Sequence, residues 1–172
     1  GGLYGGGQNE PPAGHQAAAR KEAAKIGPLD ATGNPSDSGR VVLLSIGMSN
    51  TKQEFSQFKR LADADPEKST ALVIVDGAQG GQDAVRTQDE SAAFWRNIDD
   101  RLKSAGVTPA QVQVIWLKQA IAGPRQGFPG EARRLQDLLV KIVNIAKKRY
   151  PNLRIAYLSS RIYAGYATTQ LN

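Results

Sequence analysis

Hydrophobic and polar positions alternate in long blocks from residue 40 to residue 158, and the tail, 159–172, is expected to be a loop. Four apolar runs have the continuous character of strands that are buried on both faces, at 41–46, 71–75, 112–117 and 153–158. Between them, apolar residues recur at helical spacing in a helix expected to begin at Thr51, over 89–104 and over 131–149. Thr51 with Glu54 three residues later fits a capping box at the start of the first of these helices. This alternation predicts an α/β fold in which a parallel sheet of about four strands is covered by helices on both faces.

Residues 1–39 have a different composition from the rest of the chain. Gly5-Gly6-Gly7, Pro11-Pro12 and Asn34-Pro35 favour turns and extended backbone, although a short helix is expected over 17–25. We therefore divide the chain into a Gly/Pro-rich leader, 1–39, and an α/β domain, 40–172. The leader is expected to wrap around the domain or to be mobile in part.

Composition excludes several function classes. The 172 residues include no cysteine, which excludes disulfides and thiol catalysis, and no apolar run approaches the length of a membrane span. The single histidine, His15, lies in the leader, and no cluster of His, Asp and Glu has the spacing of metal ligands. We predict no metal and no cofactor, and we expect His15 to be a surface residue.

The formal net charge of +6 is compatible with nucleic-acid binding, but the placement of the charges argues against it. Lys147, Lys148 and Arg149 end a predicted helix, where cations complement the helix dipole. No aromatic residues interleave with these basic residues as a base-stacking surface requires. We interpret them as a solvated face and expect no nucleic-acid partner.

Ser49 follows the first predicted strand and precedes a predicted helix, at the sheet edge where ligands bind in such folds. The helix dipole favours negative charge there, and backbone N–H groups can donate to an oxyanion. A serine in this position is a candidate nucleophile. The alternative is that Ser49 and Asn50 merely cap the helix, since short polar residues are preferred at helix starts.

Two further loops are expected at the same edge. Gly80 follows the second strand and can present its N–H to a ligand, or it can simply form a tight turn. Lys118 and Gln119 follow the third strand, where a cation or an amide can stabilise an oxyanion. The alternative for both is a strand end with an outward polar side chain. Beyond the fourth strand, Arg161 and Tyr163 either line a pocket for a sugar or acyl group or pack a loop.

Two sequence blocks, Gly47-Met48-Ser49-Asn50 and Asp76-Gly77-Ala78-Gln79-Gly80, resemble those of the SGNH/GDSL hydrolase superfamily. The resemblance implies a three-layer α/β/α, flavodoxin-like domain with Ser49 as nucleophile. It also implies that the N–H groups of Ser49 and Gly80 bind the oxyanion, with Gln119 in place of the asparagine of the family. The remaining residues expected at the substrate pocket are Asn50, Gln79, Lys118, Arg161 and Tyr163.

The resemblance stops near residue 160, before the Asp-x-x-His block that supplies the base in the family. Residues 159–172 contain no Asp, Glu or His. We therefore expect a domain that is incomplete at its C-terminus. The base would come from sequence beyond this chain, and the isolated chain would be a weak or inactive esterase. Without the base, most of the catalytic unit is lost.

Two functions stay open at this point. One is an esterase or deacetylase acting on acylated carbohydrate or small esters. The other is a non-catalytic module that binds a glycan or a partner chain. An incomplete sheet invites association with a C-terminal fragment, a second chain or another copy. Because the chain starts at Gly1 as processed products do, a secreted or periplasmic location is favoured over a cytoplasmic one.

Overall fold

A computed structural model describes residues 4–123 and 125–159 of the chain. Its centre is a sheet of four parallel strands in the order β2-β1-β3-β4. The strands are β1 Val41–Gly47, β2 Leu72–Val75, β3 Val112–Lys118 and β4 Ile155–Leu158. The helices are α1 Ala13–Ala23, α2 Ser49–Asp63, α3 Ala84–Thr87, α4 Ala93–Ser104 and α5 Gly130–Arg149. Helices flank both faces of the sheet, so the predicted three-layer, flavodoxin-like α/β architecture with four strands is confirmed.

One face of the sheet is closed by α4 and α5. Val42, Leu44 and Ile46 alternate along β1 toward this face, and none of the three is accessible to solvent. The helices contribute their own apolar stripes, namely Phe94, Trp95, Ile98 and Leu102 of α4 with Leu138, Ile142 and Ala146 of α5. We call this the closed face. Its burial accounts for the apolar side chains at alternate positions of the strands, since every second residue points to the same face.

The opposite face is covered only in part, mainly by α2. Phe55 of α2 stacks on Trp116 of β3, with ring centroids 5.6 Å apart and an interplanar angle of 17°. An apolar groove of about 660 Å³ stays open beside this contact. Its lining is Ile26, Val41, Leu43, Glu54, Phe55, Phe58, Leu72, Val114, Trp116 and Tyr157. We call this the open face.

The leader is bound to the start of β3 by side-chain amides. Gln113 accepts from the Gly27 backbone N–H at 3.2 Å and donates to the Gly27 carbonyl at 2.7 Å. Gln111 donates to the carbonyl of the buried Leu29 at 2.7 Å. The helix predicted over 17–25 is present but begins earlier, at Ala13. These contacts hold the leader against the domain at Gly27 and Leu29.

The helix predicted over 89–104 is shorter than expected. Asp83 accepts a hydrogen bond from the Arg86 backbone N–H and starts the short helix α3, and a turn separates α3 from α4.

Within the described residues, no helix has the length and apolarity that crossing a membrane requires.

Candidate functional site

The loops that follow β1, β2 and β3 are hydrogen-bonded to one another at the carboxyl edge of the sheet. The Gln79 N–H donates to the Gly47 carbonyl at 3.0 Å, which joins the loop after β2 to the end of β1. The Ala84 N–H donates to the Ala120 carbonyl at 2.9 Å, which joins α3 to the loop after β3. The convergence expected for a parallel sheet is therefore held by specific bonds.

Gly47 determines how the chain leaves β1. A Cβ atom at this position would lie 2.3 Å from Thr51 Oγ1 and 2.4 Å from the Lys118 carbonyl oxygen, so a larger residue would displace α2. The Thr51 hydroxyl donates to that same carbonyl at 2.7 Å. The expectation that the helix begins at Thr51 is wrong. α2 begins at Ser49, and Thr51 anchors it to β3 instead of capping it.

Ser49 is exposed at the first residue of α2. The N-cap position is Met48, whose backbone is extended (φ −103°, ψ −161°) and whose side chain makes no capping hydrogen bond. The interpretation of Ser49 as a side-chain cap is thus wrong. Among the described residues, none makes a hydrogen bond with the Ser49 hydroxyl, whereas the neighbouring Asn50 Oδ1 accepts from the Thr51 N–H at 3.1 Å. The Ser49 hydroxyl is open to solvent at the positive end of a helix of 15 residues.

A buried polar contact supports the loop after β2. Ser45 Oγ donates to Asp76 Oδ1 at 2.7 Å and accepts from the N–H groups of Gly77 and Ala78 at 3.0 and 3.2 Å. A Cβ at Gly77 would lie 2.4 Å from the Ser45 carbonyl oxygen. Sequence reasoning missed this contact. A serine inside the apolar run of β1 was the available signal, because a buried hydroxyl needs a partner.

Gln79 and Gly80 play different parts in this loop. Gln79 is buried, and its side chain points to α4: Nε2 donates to the Phe94 carbonyl at 2.8 Å, and Oε1 accepts from Asn97 at 2.8 Å. Gly80 is exposed, and a Cβ placed on it would meet no atom within 4 Å. The structure thus gives Gln79 a positioning role in the loop and leaves the Gly80 turn open to a ligand.

Both polar residues at the end of β3, Lys118 within the strand and Gln119 directly after it, have partners within the protein. The buried Lys118 ammonium contacts both carboxylate oxygens of Glu54, at 2.6 and 2.7 Å. Gln119 Nε2 donates to the Gln82 carbonyl at 3.0 Å and to Thr87 Oγ1 at 3.2 Å. The Gln119 Oε1 atom is buried without a hydrogen-bond partner. These contacts join β3 to α2 and α3, so both side chains already serve the fold.

The other candidates lie away from this edge or outside the described part of the chain. Arg161 and Tyr163 belong to the residues that the structure does not describe. His15 is exposed on α1, and its ring lies 6.0 Å from that of Tyr4. Over residues 4–123 and 125–159, no group of three or more His, Asp or Glu is placed to hold a metal ion.

Comparison with protein-family models, with curated proteins and with solved structures found no match to this chain. The functional argument therefore depends on the sequence and on the geometry described above.

Proposed function

We propose that this chain carries the nucleophile of an SGNH-like serine hydrolase, an esterase or deacetylase for acylated carbohydrate or small esters. One observation supports the proposal above the others. The Ser49 hydroxyl is exposed and has no hydrogen-bond partner among the described residues, and the Gln79 N–H bond to the Gly47 carbonyl joins the loop before Ser49 to the loop that carries the open Gly80 turn. This pairs a nucleophile with a backbone donor, as acyl transfer requires.

In this proposal Ser49 Oγ attacks the ester carbonyl, and the N–H groups of Ser49 and Gly80 stabilise the oxyanion. Gln119 is the third donor. Its Nε2 now donates to the Thr87 hydroxyl at 3.2 Å, the longer of its two contacts. In the reaction this bond would break and Nε2 would donate to the oxyanion instead. The base that deprotonates Ser49 is supplied by sequence beyond this chain. The isolated chain is therefore expected to be weak or inactive.

A fluorophosphonate probe tests this function on material that includes the sequence following this chain. We expect a covalent adduct on Ser49, located by peptide mass spectrometry and lost in Ser49→Ala. Ser56→Ala is the matched control, because Ser56 is exposed on the same helix and its hydroxyl donates to the Gln53 carbonyl. Absence of an adduct on folded, complete material would exclude the hydrolase.

A second candidate is a non-catalytic module that associates with another chain, and the outer edge of β4 favours it. Among the described residues no strand pairs with this edge. Tyr157 and Leu158 point to opposite faces, are 59% and 57% exposed, and line separate apolar grooves. A strand added beside β4 would cover both side chains. We propose a second copy of this chain as the occupant, because the edge strand of one copy can pair with that of another.

Light scattering tests this second candidate, with a dimer or larger species as the expected result. Replacing Tyr157 and Leu158 together by Asp should reduce the mass to that of a monomer. Leu61→Asp is the control, because Leu61 is 61% exposed on α2 and lines neither groove. A wild-type chain that is monomeric at micromolar concentration would contradict self-association through β4.

A further inference from the structure

A second pocket opens at the carboxyl edge of the sheet, between α3, the loop after β3 and the start of α5. Its volume is about 530 Å³. Its lining is more polar than that of the groove on the open face, and three of its lining residues are arginines: Arg86, Arg125 and Arg134. The other lining residues are Asp83, Val85, Ile121, Ala122 and Gly123. We call it the arginine pocket.

Asp83 is the one carboxylate among the described residues that lines the arginine pocket, and both of its oxygens accept hydrogen bonds from the backbone. Asp83 is buried, its Oδ2 accepts from the Ala122 N–H at 3.0 Å, and its Oδ1 accepts from the Arg86 N–H at 3.2 Å. The Arg86 guanidinium lies 3.7 Å from Asp83 Oδ1. Asp83 therefore holds the wall of the pocket together and offsets one of its three positive charges.

A second carboxylate, Glu131, lies next to the pocket and is also used by the backbone. Its Oε1 accepts from the N–H groups of Arg125 and Gln126, at 2.8 and 3.1 Å. Arg134 Nη1 is 3.6 Å from the same oxygen. These bonds lower the pKa of Glu131, the Arg125 N–H contributing most, so the carboxylate is ionised at neutral pH. Counted over the described residues, the pocket lining and the adjoining Glu131 thus carry three guanidinium groups and two carboxylates, a local excess of one positive charge.

The guanidinium groups keep donors available for a ligand. Arg86 donates to the Gly81 carbonyl at 2.9 Å through Nη1, while its side chain is 61% exposed. Arg134 has a 42% exposed side chain. The Arg125 side chain makes no hydrogen bond or ion pair with the described residues. Planar, weakly hydrated guanidinium groups match the oxygen spacing of carboxylates and phosphates, and they bind both through paired hydrogen bonds.

We propose that the arginine pocket binds a small oxyanion, the carboxylate or phosphate group of a ligand. The bond from Arg86 to Gly81 places the pocket directly beside the Gly80 turn. If Ser49 is the nucleophile, the ester substrate carries a negatively charged group, and this extension rests on the proposed function. The anion site itself does not require catalysis.

Titration of the full chain with inorganic phosphate and, separately, with acetate tests the site, with backbone amide NMR shifts as the readout at low ionic strength. We expect saturable shifts at Ala122, Gly123 and Arg125. Arg125→Gln should weaken binding by about tenfold. Arg133→Gln is the control, because Arg133 is exposed on α5, lies outside the pocket and loses the same charge; its affinity should stay within about twofold.

Each outcome bears on the proposal. Saturation by acetate alone, or by phosphate alone, supports the site and identifies the anion that it prefers. Absence of saturation by both anions in the folded wild type overturns it, as does an equal loss of affinity in Arg125→Gln and Arg133→Gln, which would indicate only the net charge. Ser49 labelling without anion binding refutes the pocket alone. Anion binding without labelling refutes the hydrolase and leaves the pocket.

Discussion

The two faces of the sheet are built from similar strand residues but are covered very differently. On β1, Leu44 faces α4 and α5 and has no solvent-accessible surface, whereas its neighbour Leu43 lines the open groove. The closed face is sealed by two helices with continuous apolar stripes. The open face has mainly α2, which leaves about 660 Å³ uncovered. The hydrophobicity of a strand therefore indicates that a face of the sheet is apolar. It does not indicate that other segments of the same chain cover that face.

The two faces also differ in how their helices are attached. α4 and α5 are held mainly by buried apolar side chains. α2 depends on a smaller set of specific contacts with β3: the Phe55–Trp116 stack, the Thr51 hydrogen bond and the Lys118–Glu54 ion pair. The open face thus has fewer and more polar attachments, and these make it the more easily perturbed side.

The largest expected effect comes from truncating neighbouring leucines on β1. Leu44→Ala should lower the free energy of unfolding by about 2–5 kcal/mol, because it leaves a cavity in a sealed core. Leu43→Ala should cost about 1–2 kcal/mol, because its side chain is only half-buried. Urea unfolding followed by circular dichroism measures both. Equal losses would show that the open face is covered as well as the closed one.

A glycine pair at the end of β2 gives the next effect. Gly77→Ala should cost about 2 kcal/mol or more, because the new methyl group would lie 2.4 Å from the Ser45 carbonyl oxygen and 2.9 Å from Leu44 Cδ1, in the core of the closed face. Gly80→Ala meets no atom and should change stability by less than about 1 kcal/mol. Thermal unfolding compares the variants. Similar losses would contradict the close approach at Gly77.

The ion pair that holds α2 gives a smaller effect. Glu54→Gln should cost about 1–3 kcal/mol, because it leaves the Lys118 ammonium buried without a counter-charge. Lys118→Met should cost less, since the remaining Glu54 side chain is 41% exposed and can be hydrated. Lys52→Met, an exposed change on the same helix, serves as control. A larger loss of unfolding free energy for Lys118→Met than for Glu54→Gln would contradict the claim that the uncompensated Lys118 charge is the main cost.

The smallest effect is a pH response at the start of α5, on the closed side. Bonds from the backbone, chiefly the Arg125 N–H, hold the pKa of Glu131 below 4.5. A lowered folded-state pKa stabilises the fold above the unfolded value, and this contribution is lost as the pH falls through the folded value. The amide signals of Arg125 and Gln126 should therefore shift only in acid, below about pH 4.5. Glu131→Gln should abolish the transition, and its persistence would assign it to another group.

Local patterns were sufficient for the frame of the molecule and for the position of Ser49. Four apolar runs became the four strands, and Gly47 with the polar Ser49 two positions later marked the turn into α2. The same patterns failed for Thr51 and Glu54. Their spacing fits a capping box, but both residues bind Lys118 instead. The Lys118 carbonyl, 67 positions away, accepts from the Thr51 hydroxyl, and the Lys118 ammonium, 64 positions away, donates to the Glu54 carboxylate. A tertiary partner replaced the local one, because the carbonyl and the ammonium of the buried Lys118 both need hydrogen-bond partners.

The sequence by itself determined which segments are strands and helices. It also determined that Ser49 follows the first strand and Gly80 follows the second. Such features depend on periodicity and on residues a few positions apart. Tertiary structure decided the direction of each polar side chain. Gln79 turns to α4, Gln119 to α3 and Lys118 to α2, while Ser49 alone of this group keeps an unbonded side chain among the described residues. The reason is that hydrogen-bond partners of buried groups come from distant segments, and only folding brings those segments together.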